Sequence, residues 1–128
     1  MNLWRKFALW RFKAFEQKFK NGDRSSLEYL VKWGERSGIY SYVATAGGSF
    51  YDKIYLDTRN NEFWYVHIYH SHLWGCVVSN VTSLKSLSHT KLLIIQDLKT
   101  IHFPETDETI IHNLKKLASQ LLKINTTR

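Results

Sequence analysis

The sequence predicts an α+β fold. It reads as a single domain over residues 1–128, an antiparallel sheet of four to five strands in meander order packed by two N-terminal helices and one C-terminal helix. Three observations carry this. Apolar residues recur at helical spacing over residues 3–20 and again after residue 108, whereas from Ile39 to Ser79 the apolar period is two. The strand-like runs are joined by short turn sequences that leave no room for a crossover helix. With 128 residues, 44% hydrophobic and 15% aromatic, the chain buries a core without staples, and its composition excludes a disordered polymer.

Residues 3–20, LWRKFALWRFKAFEQKFK, form the first predicted helix. Leu3, Trp4, Phe7, Ala8, Trp10, Phe12, Ala14, Phe15 and Phe19 fall within an arc of roughly 200°. Arg5, Lys6, Lys13 and Lys20 occupy the opposite side, while Arg11 and Lys18 lie inside the apolar arc and must snorkel outward. Such a helix packs on a core, lies on nucleic acid, or lies in the interface of an anionic membrane. Asn21-Gly22-Asp23 ends it, and Ser25 with Glu28 reads as the capping box of a second helix reaching about Arg36, stopped by Gly38. That helix carries only Lys32 and Arg36 as cations, too few to read DNA bases as a helix-turn-helix does.

From Ile39 the strands follow. Ile39 to Ala46 and Ser49 to Asp57 are joined at Gly47-Gly48, a dipeptide suited to the positive φ of a tight hairpin. In the second, Phe50, Ile54 and Leu56 face the core, and Tyr51, Lys53 and Tyr55 face outward. After the turn Thr58-Arg59-Asn60-Asn61 comes the central stretch from Glu62 to Ser79, with Trp64, Val66, Ile68 and His70 on one face and Phe63, Tyr65, His67 and Tyr69 on the other. Neither set is charged, so both faces call for cover. Leu73 to Ser79 is the fourth strand, Asn80 to His89 a polar loop, and Lys91 to Asp97 a buried strand that Lys99 to Phe103 extends until Pro104. Glu105, Asp107 and Glu108 suit a helix N-terminus, and Ile110, Leu114, Leu117, Leu121 and Ile124 line one face of the final helix.

The net charge is +7, unevenly spread. Residues 1–20 carry six Lys or Arg against one Glu, while residues 38–80 carry two bases against three acids. A polyanion is therefore drawn to the helices before the sheet. Cys76 is the only cysteine, which excludes an internal disulfide and suits a reducing compartment. No apolar run approaches the roughly 18 to 20 residues of a membrane span, and no signal-peptide core opens the chain. The expected location is the cytoplasm.

Chemistry-bearing fragments are incomplete. There is no phosphate-binding glycine loop and no nucleophile elbow, and Cys76 sits in an apolar strand where thiols are inert. A His-x-His strand served by a tyrosine on a later helix is the pattern of single-strand DNA nicking enzymes, but every tyrosine here lies at or before Tyr69. Tyr69-His70-Ser71-His72, with Gly75-Cys76 and Ser79, resembles the metal-binding segment of the JAMM (MPN-domain) deubiquitinases. The resemblance spans eleven residues and implies zinc held by His70 and His72, with Ser79 stabilising a reacting carbonyl. Leu73 stands where that family has Pro, and Thr82 where it has its Asp ligand.

The expected function is accordingly that of a small non-catalytic binding protein, needing no cofactor unless His70 and His72 take zinc. Its expected partner is a nucleic acid or nucleoprotein, engaged through Arg5, Lys6, Arg11, Lys13, Lys18 and Lys20 and through exposed Tyr51, Lys53 and Tyr55. The alternatives are a protein-protein inhibitor of the immunity or antitoxin type, acting through the aromatic sheet face, and a JAMM-like hydrolase or its inactive relative.

Overall fold

The computed structural model describes residues 2–45, 52–71, 73, 75–96 and 108–126. Its elements are α1 (Leu3–Lys20), α2 (Leu27–Ser37), β1 (Tyr40–Thr45), β2 (Asp52–Asp57), β3 (Glu62–Ser71), β4 (Gly75–Ser83), a 3₁₀ turn at Leu84–Ser86, α3 (His89–Gln96) and α4 (Glu108–Thr126). The strands pair antiparallel in the order β1-β2-β3-β4, a meander with every strand beside its sequence neighbour. The fold class expected from periodicity is the one observed.

Both faces of the sheet are covered, as the uncharged faces of β3 required. On one face, Val43, Ala44, Ile54, Phe63 and Tyr65 pack with Leu92 and Ile95 of α3 and Leu114, Ala118 and Leu122 of α4. On the other, Tyr40, Tyr55, Val66 and Val81 pack with Ala8 and Phe12 of α1 and Leu27, Leu30, Val31 and Trp33 of α2. Two irregularities set which side chains face where. The β1-β2 register shifts between Tyr42 and Ala44, so Val43 and Ala44 both enter the first core. The β3-β4 register shifts between His67 and Ile68, leaving Ser79 as the extra residue of β4, with its hydroxyl donated to the His67 carbonyl at 3.2 Å.

Helix ends follow from local chemistry. Asn2 caps α1 by accepting the Arg5 N–H at 2.7 Å, and Lys18 and Lys20 complement the dipole in its last turn. Gly38 takes φ of +82° to close α2. The expected capping box at Ser25 is absent: both the N–H and the hydroxyl of Ser25 donate to Asp23 Oδ1, at 2.9 and 2.6 Å, and Ser26 is the N-cap. The Ser25 hydroxyl is thus engaged before it can reach the helix.

The expected buried strand at Lys91 to Asp97 is instead α3, which ends at Gln96. A short apolar run cannot be assigned by period alone. Here Ser88 decides it, since the Lys91 N–H meets Ser88 Oγ at 3.3 Å and the Leu92 N–H the Ser88 carbonyl at 3.0 Å. Strand β4 runs past the expected boundary at Ser79 to Ser83, because Val81 lies opposite Val66 in the core. The hairpin at Gly47-Gly48 and the segment from Asp97 to Asp107 lie outside the described residues. Among the described residues, no helix is long and apolar enough to cross a membrane.

Candidate docking surface on the first helices

The apolar arc of α1 divides in two. Ala8, Phe12, Phe15 and Phe19 form one stripe, fully buried at the first two and packed against the sheet core at the others. Leu3, Phe7, Trp10 and Ala14 repeat that spacing five residues earlier, about 140° around the helix. This second stripe faces solvent, with Leu3 84%, Phe7 43% and Trp10 63% exposed.

Arg11 and Lys18 run between the two stripes. The Arg11 guanidinium lies 5.0 Å from the Phe15 ring centre and 5.7 Å from that of Trp33, and Lys18 Nζ lies 5.4 Å from Phe15. Their stems cover apolar surface while their charges reach water, as the expected snorkelling requires. Lys6 and Lys13, both exposed, border the far side of the exposed stripe. Helix α2 adds to the surface. Trp33 is buried under Trp4 and Phe7, at ring separations of 6.0 and 5.6 Å, and Lys32 Nζ and the Arg36 guanidinium stand 5.5 and 5.3 Å from its ring. Trp33 and these two cations were invisible as a site in the sequence, because they join α1 only through the helix-helix packing.

The other expected site residues distribute as follows. Arg5 donates to the Ser37 carbonyl at 3.4 Å, tying α1 to the end of α2. Lys20 pairs with Glu16 at 3.7 Å. Tyr55 is not exposed: it is 2% accessible under α1 and α2, and its hydroxyl donates to Glu35 Oε1 at 2.6 Å. Burial, then the hydrogen bond to Glu35, pushes the Tyr55 phenol far above its ordinary value. Tyr40 is buried and Tyr42 half-buried on the same face, so the outward face of β2 lies under a helical layer. Lys53 is half-buried with Nζ 5.8 Å from the Tyr42 ring. Tyr51 lies outside the described residues.

At the opposite face, Asp52 gathers a polar cluster. The Tyr65 hydroxyl donates to its Oδ1, His67 Nδ1 lies 2.8 Å and Lys91 Nζ 3.8 Å from the same oxygen. Burial alone would raise the Asp52 pKa, but the Tyr65 and His67 hydrogen bonds and the Lys91 charge outweigh it and hold the carboxyl below its usual range. The cluster fastens α3 to the sheet. A second network fastens α1: Arg59 makes paired bonds to buried Asp57, at 3.0 and 2.8 Å, and to Glu16, at 3.1 and 2.5 Å.

His70 stands opposite Cys76 in the β3-β4 register; its side chain, and His72 altogether, lie outside the described residues. Among the described residues no three His, Cys, Asp or Glu side chains gather to hold a metal ion. Thr82, where the deubiquitinases have their Asp ligand, pairs with Tyr65, and the Ser79 hydroxyl is engaged by the backbone. No protein-family model matches the chain, nor does a curated protein or a solved structure at a significant level.

Proposed function

We propose that this protein is a binding module that engages a phosphate-bearing polyanion, without catalysis, through α1 and the adjoining part of α2. One observation carries the reading: a solvent-facing stripe of Leu3, Phe7 and Trp10 bordered on both sides by cations, Lys6 and Lys13 on one and Arg11 and Lys18 on the other. The sole acid of α1, Glu16, is engaged by Arg59 and Lys20, so it does little to offset those charges. Nucleic acid and nucleoprotein fall within this class of partner. Tyr55 and Tyr40 are buried and add nothing to this surface. The expected place of action is the cytoplasm, where a lone Cys76 stays reduced.

The test is the salt dependence of binding to an immobilised polyphosphate. Reversing charge at Lys6 and Lys13 should weaken binding and flatten the slope of log affinity against log salt by about two, one for each lost phosphate contact. A slope unchanged by both reversals would refute the reading. The exposed apolar stripe also supports a second partner class, a protein target of the kind an immunity protein or antitoxin blocks. That reading requires a complex surviving high salt and weakened by Trp10→Ala rather than by charge reversal.

A further inference from the structure

We infer that the polyanion is the surface of an anionic lipid bilayer, on which α1 lies with Leu3, Phe7 and Trp10 inserted at the headgroup boundary. This rests on the polyanion reading and specifies its partner. The geometry is that of an interfacial helix. The exposed stripe runs parallel to the helix axis for about 16 Å from Leu3 to Ala14, and cation rows flank it on both sides, so that in a bilayer the stripe sinks while the rows reach headgroup phosphates. Tryptophan suits that boundary, where its apolar body and its indole N–H are both solvated, and Phe7 and Leu3 supply the purely apolar part of the inserted face.

Two features argue against nucleic acid as the occupant. Base stacking requires free ring faces, but Trp4, Phe7 and Trp33 crowd one another at 5.6–6.0 Å, and Phe7 lies 6.0 Å from Trp10. The most exposed apolar residue of α1 is the aliphatic Leu3, which neither stacks on a base nor bonds to one. Groove reading, in turn, needs hydrogen-bonding side chains at the centre of the helix face presented, whereas the centre of this face is Leu3, Phe7, Trp10 and Ala14 and its cations lie along the rims, placed for phosphates rather than base edges.

The helix also meets the bilayer preformed. Ala8 and Phe12 are fully buried, and Arg59 holds Glu16, so α1 keeps its helical form through the fold rather than through the lipid. The cytoplasmic leaflet is the anionic one, in keeping with the expected compartment.

The experiment is flotation of the full chain with vesicles of phosphatidylcholine alone and with phosphatidylcholine and phosphatidylserine in equal parts, alongside a single-stranded oligonucleotide binding assay. Binding to the mixed vesicles and not to the neutral ones is expected, with partitioning reduced at least about tenfold by Phe7→Ala with Trp10→Ala. Leu3→Ser, at the most exposed position, serves where the double variant fails to fold, and is expected to reduce partitioning about threefold or more. Oligonucleotide binding without vesicle binding would overturn the inference and leave the polyanion reading standing. Binding to neither would overturn both. Vesicle binding unaffected by the stripe variants would overturn insertion.

Discussion

Gly34 of α2 sits where the helix meets the sheet, and replacing it with alanine opposes two effects of different sign. In a helix interior alanine is favoured over glycine by about 1 kcal/mol. The new Cβ, however, would stand 2.3 Å from Cδ2 of Tyr40 and 2.8 Å from Cε2 and Cγ. Carbon atoms pack at about 3.5–4.0 Å, so the ring must retreat by more than about 1 Å. Its room to move is small: the Tyr40 ring is met edge-on by Phe12 at 5.2 Å and at a tilt by Tyr55 at 6.4 Å, and the residue is buried. Overpacking of this kind costs up to about 3 kcal/mol, so the sum is a loss of about 2 kcal/mol. Urea unfolding with an unchanged slope should show the midpoint falling by about 1 M. A double-mutant cycle sharpens the test. With Tyr40→Ala in place the clash disappears, and Gly34→Ala should then stabilise by about 1 kcal/mol. A Gly34→Ala protein as stable as the parent while Tyr40 is present would refute the account of how α2 meets the sheet.

Arg59→Gln removes the partner of Asp57, a carboxylate only 2% exposed. Since the Arg59 side chain is itself 39% exposed, the cost falls below that of a fully buried pair, at about 2 kcal/mol; thermal unfolding measures it, and a change under about 0.5 kcal/mol would show the network to be incidental. Asp52 sets an acid limb. Its carboxyl lies below the usual range when folded, so the unfolded chain takes up the proton first, and the stabilisation present above about pH 4 fades as pH falls through the folded value. Asp52→Asn should therefore destabilise at pH 7 and differ progressively less from the parent in acid; a gap that stays constant from pH 7 to pH 3 would contradict the ionic role assigned to Asp52.

What could be read in the chain was what alternation and capping encode locally. The period of two from Ile39 onward placed β1, β2 and β3 and divided the described core residues of β2 and β3 between faces, because a strand has only two sides; the bulge that turns both Val43 and Ala44 of β1 into one core has no such period. It could not say what lay over the second face, and so Tyr55 was expected in solvent when α1 and α2 cover it. The apolar run Lys91–Gln96 carries no period of its own, and its signal was the serine just before it, Ser88, whose hydroxyl meets the Lys91 N–H. The cations of α1 were legible one by one. Which half of its apolar arc would be buried depended on where α2 docks, a tertiary fact that also brings Trp33, Lys32 and Arg36 to the same surface.

The two cores differ in how much chain each must await. The layer beneath α1 and α2 draws its buried residues from Ala8 to Val81, whereas the opposite layer requires Leu114, Ala118 and Leu122. During synthesis, from N-terminus to C-terminus, the first layer can close while α3 and α4 are still in the ribosome, the more readily because every strand pairs with its neighbour in sequence. Until α4 arrives, the nascent sheet shows Ile54, Phe63 and Tyr65 to its surroundings. The hazard of misassembly on this fold thus falls on one face and in one interval, and a chaperone that shields it would recognise the inner surface that α3 and α4 later cover.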